Sequence, residues 1–122
     1  MSYIGVDIIE IARIKKAMAR WGDSFLKRVY TEPEIRLYQG KPSSLAARFA
    51  GKEAVMKALG APAGLREIEI LSEPSGKPLL RLYGRARSQA SSLGLTSLAI
   101  SLSHCREYAI ACIAGEAGKA PG

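Results

Sequence analysis

The chain has 122 residues, 48% hydrophobic and 24% charged, enough for one soluble domain with its own core. No apolar run reaches the length of a membrane span and no signal-peptide pattern opens the chain, which favours the cytoplasm. The 18 basic against 11 acidic residues give a net charge of +7, which attracts anionic partners without choosing among nucleic acid, acidic protein and phosphorylated metabolite. Two cysteines and one histidine make neither a disulfide framework nor a mixed His/Cys zinc site. Cys105 and Cys112 read as reduced thiols packed in or near a sheet.

Residues 3–9 predict a short buried strand. Ile11, Ile14, Met18 and Trp21 then recur at three- and four-residue spacing, predicting an amphipathic helix with Trp21 in the core and Arg13, Lys16 and Arg20 on another side. Gly22-Asp23-Ser24 ends that helix and can cap a short one carrying Phe25, Leu26 and Val29. Thr31-Glu32-Pro33-Glu34 is a capping box with proline in the first turn, opening a helix to about residue 39. After the 40–44 loop, Ser43 or Ser44 can cap a helix over about 45–59, stopped by Gly60, with Phe49 among its core residues.

The second half changes character. Ile68 and Ile70 alternate with Glu67 and Glu69 as a half-buried strand, and a turn through Gly76 leads to a second strand over 79–83. Residues 85–93 predict a polar surface helix. Leu98, Ile100 and Leu102 alternate again, and residues 108–114 form the last strand. The domain therefore spans 1–114, with 115–122 read as a fraying tail rich in Gly, Ala and Pro. Helices followed by hairpins predict an α+β fold, with N-terminal helices packed on a mainly antiparallel sheet.

Glu53 and Lys57 lie four residues apart, so on a helix they share a face with Cβ atoms about 5–6 Å apart. Asp7, from a separate element, would add a second carboxylate. Mg²⁺ binds through one or two carboxylates completed by water and phosphate, so this trio suggests chemistry on a phosphate ester. Two blander roles compete. Asp7 suits the N-cap of the first helix, and Glu53 with Lys57 suits a surface ion pair.

Four motifs in register resemble the holo-acyl-carrier-protein synthases, the small bacterial class of 4′-phosphopantetheinyl transferases. They are Ile4-Gly5-Val6-Asp7-Ile8 with Arg13, Arg48-Phe49-Ala50-Gly51-Lys52-Glu53-Ala54 with Lys57, the Gly76-Lys77-Pro78 turn, and Ser101-Leu102-Ser103-His104 with Glu107-Tyr108-Ala109. The resemblance covers about residues 3–114. It implies transfer of phosphopantetheine from coenzyme A to a serine of an apo acyl carrier protein, and a homotrimer with active sites shared between subunits.

By the same resemblance, Asp7 and Glu53 are expected to hold Mg²⁺, with Mn²⁺ as an alternative. Ile9 stands where larger transferases carry a further carboxylate, so water would complete the metal. Glu53 and Lys57 are the expected catalytic residues, Lys57 binding the pyrophosphate. Arg48, Lys52, Lys57, Gly76, Lys77, Pro78 and His104 are the expected coenzyme A contacts, some reached across a subunit boundary. For the serine proton, either Glu53 or a water at the metal could act; coordination lowers a carboxylate's basicity and favours the water. Arg13, Lys16, Met18, Arg20 and Phe25 are the expected docking face for an acidic carrier protein. The competing class is a small basic nucleic-acid-binding module, weakened by the lack of exposed strand aromatics and of zinc spacing. No membrane or nucleic-acid partner is expected.

Overall fold

The computed structural model describes residues 1–118. In chain order it contains β1 (Ser2–Glu10), α1 (Ile11–Trp21), α2 (Asp23–Val29), α3 (Glu32–Tyr38), α4 (Pro42–Leu59), a 3₁₀ turn (Leu65–Glu67), β2 (Ile68–Ser72), β3 (Pro78–Leu82), α5 (Gly84–Ser92), β4 (Leu95–His104) and β5 (Tyr108–Ala117). The α+β expectation holds. The strands form two antiparallel sheets, a three-stranded one ordered β1-β5-β4 and a β2-β3 hairpin.

α4 runs through the middle. Eleven of its 18 residues are buried, as expected of a helix packed on more than one side. One side lies on β1 and β5, and other parts of its surface meet β2, β4, α1, α3 and α5. Ala46, Ala47, Ala50, Ala54 and Ala58 are all buried in it, and such small side chains let neighbouring backbones come close. The closest approach is at Gly5 of β1. A Cβ there would overlap the Ala54 carbonyl oxygen and lie 2.9 Å from the Ala58 nitrogen.

Several boundaries differ from the sequence reading. α4 begins at Pro42, its N-cap is Lys41, and neither Ser43 nor Ser44 caps it. Proline at the first helical position needs no backbone N–H there, so the helix starts three residues early. Strand β1 is covered on one face only; Gly5 and Ile9 are buried, whereas Ile4, Val6 and Ile8 are 67%, 51% and 59% exposed. Trp21 is 55% exposed rather than in the core, with the Arg20 guanidinium 4.9 Å from its ring centroid. Phe49 packs against the core as expected. Both cysteines are free and exposed rather than packed away. β5 continues past Ala114 to Ala117, where Glu116 pairs with Ser2 and Ala117 with Leu95, so residues 115–117 belong to the sheet. Gly118 donates to the Gly94 carbonyl at 3.0 Å, and residues 119–122 of the expected tail lie outside the described residues.

One carboxylate fastens the 3₁₀ turn to α5. Glu67 accepts hydrogen bonds from the backbone N–H groups of Gly64 (2.7 Å), Arg85 and Ala86 (3.4 Å), and from Arg85 Nε (3.3 Å). Gly84 lets the chain pass, with φ 54° and no room for a Cβ beside Glu67 Oε2. The Gly64 N–H first, and the Arg85 and Ala86 donors with it, hold the Glu67 carboxyl below its ordinary value of 4.5. A group with a depressed folded pKa stabilises fully above its unfolded value and loses that contribution as pH falls through the folded one. Thermal denaturation from about pH 6 down to about pH 3 should therefore show a steeper acid decline for wild type than for Glu67→Gln. Parallel curves for the two proteins would contradict this role.

Candidate active site

Asp7 sits in the middle of β1, opposite Ala111 of β5, and is not a helix cap; the N-cap of α1 is Glu10. Strand alternation places Tyr3, Gly5, Asp7 and Ile9 on one face, and Gly5 and Ile9 show that this is the face covered by α4. The close approach at Gly5 therefore brings Asp7, two residues on, beside the next turn of the helix. The Lys57 ammonium donates to Asp7 Oδ1 at 2.9 Å and to the Val6 carbonyl at 3.0 Å. β1 is the edge strand of its sheet, so Lys57 ties α4 to that edge.

Glu53 lies one helical turn before Lys57 on the same side of α4. Its carboxylate is half-buried and makes no side-chain hydrogen bond among the described residues. The surface pair expected of an i,i+4 Glu/Lys is thus absent, because Lys57 turns to Asp7 instead. Asp7 and Lys57 meet from two elements, and Glu53 stands one helical turn away on the same side of α4. Two carboxylates of this kind suit a hard cation that takes its other oxygens from water and phosphate. No cluster of three or more His, Cys, Asp or Glu occurs among the described residues.

Lys52 has a different place. It is completely buried, and its ammonium donates to Glu34 Oε1 (2.7 Å), the Leu65 carbonyl (2.9 Å) and the Ile68 carbonyl (2.6 Å). An ammonium has three donors, so none is left for a phosphate. The expectation that Lys52 contacts coenzyme A is corrected: it is a structural residue. Glu34, also buried, accepts from Thr31 N (2.8 Å) in the capping box and from Ile70 N (2.9 Å) in β2. Burial pushes the Lys52 ammonium below its ordinary pKa, with the Glu34 carboxylate acting the other way.

Arg48 stacks on Tyr38, its guanidinium carbon 3.6 Å from the ring centroid. It donates to the Ile70 carbonyl (3.0 Å), Ser72 Oγ (2.9 Å) and the Ser44 carbonyl (3.3 Å), which leaves two of its five N–H groups. Gly76 and Lys77 lie in the exposed turn between β2 and β3, where Gly76 takes φ 91°, and half-buried Pro78 begins β3. His104 ends β4, exposed and opposite Ala109, two strands from β1. None of these four hydrogen-bonds to Asp7, Glu53 or Lys57 among the described residues. On α1, Arg13, Lys16 and Arg20 are exposed and Met18 is half-buried, as is Phe25 on α2. Trp21, Ser24, Phe25 and Arg28 line a shallow surface pocket at the α1–α2 corner. Sequence reading did not assign Ser24 or Arg28 a role there, because the pocket exists only once two helices meet.

Residues 3–113 match the family model described as the 4′-phosphopantetheinyl transferase superfamily. The chain belongs to that superfamily. It is 54% identical over 118 residues to a holo-[acyl-carrier-protein] synthase of Dehalococcoides mccartyi (strain CBDB1), covering 95% of this chain and 99% of that protein. It is 46% identical over 125 residues to a protein of the same name from Herpetosiphon aurantiacus, covering 94% and 98%. Among solved structures it resembles the Helicobacter pylori holo-[acyl-carrier-protein] synthase in complex with coenzyme A, with TM-score 0.83, 36% identity, and 93% and 99% of the two chains covered. Membership sets aside the basic nucleic-acid module. No helix among the described residues is long and apolar enough to cross a membrane.

The different placements of Lys52 and Lys57 lead to a contrast that can be measured. Lys52→Met strands a buried carboxylate and should cost about 3–5 kcal/mol in urea denaturation. Below its unfolding transition, the same variant should bind coenzyme A within about twofold of wild type, since no donor aimed at phosphate is lost. A large affinity loss in folded protein would return Lys52 to the binding site.

Proposed function

We propose that this chain transfers the 4′-phosphopantetheine moiety of coenzyme A to a serine hydroxyl of an apo acyl carrier protein. The products are holo carrier protein and adenosine 3′,5′-bisphosphate. The observation that supports the reading at the site is the contact of Lys57 on α4 with Asp7 on β1, with Glu53 one turn before Lys57 on the same side of the helix. Superfamily membership and the full-length relatives supply the reaction class.

Asp7 and Glu53 are the residues that hold a divalent cation, Mg²⁺ or alternatively Mn²⁺. When bound, that cation neutralises charge on the pyrophosphate. Phosphoryl transfer asks the protein mainly for position and charge. Lys57 supplies an ammonium for the pyrophosphate oxygens of the leaving nucleotide. Glu53, which makes no side-chain hydrogen bond among the described residues, orients a water that takes the serine proton, since coordination lowers the carboxylate's own basicity. The two spare N–H groups of Arg48, the Gly76-Lys77-Pro78 turn and His104 contact the nucleotide. Arg48 is linked to that turn through β2, where it holds Ser72.

The chain assembles as a homotrimer. Supporting this, the sheet face away from α4 exposes Ile4, Val6, Ile8 and Ile110, a contiguous apolar surface of the kind that marks an interface. Because His104 lies two strands from β1, and neither it nor the β2–β3 turn hydrogen-bonds to Asp7 among the described residues, a neighbour's copies can complete the site. Arg13, Lys16 and Arg20, with Met18 and Phe25, dock an acidic carrier protein. Coenzyme A and carrier protein as substrates make the location cytoplasmic.

The test is the mass of an apo acyl carrier protein after incubation with this protein, coenzyme A and Mg²⁺. One phosphopantetheine should be gained, and the rate should fall roughly a hundredfold or more in Asp7→Ala and Glu53→Ala. Arg13→Ala should raise KM for carrier protein, with that effect shrinking at high salt, and leave KM for coenzyme A unchanged. No mass gain with any carrier protein, or full activity in the carboxylate variants, would contradict the assignment.

A further inference from the structure

Lys57 has two acceptors in this structure, and one of them is a residue assigned to the cation. Its ammonium lies 2.9 Å from Asp7 Oδ1 and 3.0 Å from the Val6 carbonyl. Its helical neighbour Glu53 takes no part. The contact sits at the rim of the fold: the Lys57 side chain is 57% exposed and that of Asp7 19%. Ion pairs this exposed contribute little and exchange readily.

A divalent cation held by Asp7 and Glu53 would lie against the same Asp7 carboxylate that the ammonium now occupies. Two cations in hydrogen-bonding range of one small carboxylate repel each other. Where the cation takes Oδ1, the oxygen that Lys57 now holds, the ammonium has to leave, and lysine, with a flexible four-carbon stem, can do so without moving the helix. The Val6 carbonyl on the open edge of β1 gives it a second anchor when Asp7 is taken.

We propose that Lys57 is an exchangeable occupant of the cation site: its ammonium holds Asp7 until a divalent cation takes the carboxylate, and the exchange releases Lys57 to the substrate phosphate. This rests on the metal and phosphate roles proposed above. Its consequence is order. The group that neutralises Asp7 in the free protein is the one that meets the pyrophosphate once the cation is in place, so the cation also recruits the phosphate ligand.

The competition has a sign that a simple phosphate-binding lysine would not give. Mn²⁺ binding is measured by the loss of the free-ion EPR signal, with no coenzyme A present, for wild type, Lys57→Met, Lys57→Arg and Lys27→Met. Lys27 is exposed on α2 and serves as the net-charge control. Lys57→Met should bind Mn²⁺ roughly two- to fivefold more tightly than wild type, the range an exposed ion pair can contribute. Lys57→Arg, which keeps a cation, and Lys27→Met should stay near wild type. Equal or weaker binding by Lys57→Met overturns the exchange, as does equal tightening in Lys27→Met. Absence of Mn²⁺ binding by every protein overturns the metal assignment itself and the exchange with it.

Discussion

The contact between Gly5 and helix α4 is the constraint on which the site depends. A strand and a helix ordinarily keep their backbones apart by the width of their side chains. Here the strand offers a hydrogen atom and the helix offers Ala54 and Ala58, so the two backbones nearly touch. Two residues further along, the same strand carries Asp7, and the same stretch of helix carries Glu53 and Lys57. In the metal role proposed for Asp7 and Glu53, side chains this short can serve one ion only if their backbones are this close. The proposed site thus depends on what is missing at residue 5.

The opposite side of α4 is fixed by polar contacts. Lys52 and Glu34 are fully buried, and together they tie α4 to α3, to the 3₁₀ turn and to β2. Thr31 extends the network by donating to Glu69 Oε2 at 2.7 Å, and Tyr83 donates to Glu69 Oε1 at 3.3 Å. Every buried side-chain polar atom among the described residues has a partner, so the desolvation penalty of this network is met by hydrogen bonds. A helix pressed on a sheet by small residues is free to slide or rotate slightly. A buried ion pair with fixed hydrogen-bond directions removes that freedom, and Glu53, next to Lys52 in sequence, inherits the result.

Much of this arrangement is legible in the amino-acid sequence. The alternation of β4, the capping box at Thr31 and Glu34, and the stop at Gly60 are local signals, and each holds. Glu67, by contrast, falls in the 3₁₀ turn, and Glu69 of β2 is buried with Ile68 and Ile70. For Asp7, Glu53 and Lys57 the residue types and helical spacing suggest a shared role, and the structure adds the contact between Lys57 and Asp7. What escapes is information that sequence neighbours do not carry. Lys52 stands in the same motif as Glu53, yet its acceptors come from residues 34, 65 and 68, so nothing local marks it as buried. Trp21 continues the apolar spacing of α1, but the helix ends there and leaves the ring to Arg20 and solvent. Residues 115–117 look like a tail by composition, yet two flanking strands supply hydrogen bonds that any side chain would accept.

The central claim, that the missing side chain at residue 5 builds the site, is most directly tested by kcat for carrier-protein modification in Gly5→Ala. Gly84→Ala, strained at the start of α5 instead, is the control for lost stability. With rates corrected for the folded fraction, Gly5→Ala should lose on the order of a hundredfold in kcat, as expected when reacting groups are displaced by about 1 Å. Gly84→Ala should keep nearly all of its kcat per folded molecule. If folded Gly5→Ala turns over like wild type, or both variants lose kcat alike, the close approach of β1 and α4 does not position the active site.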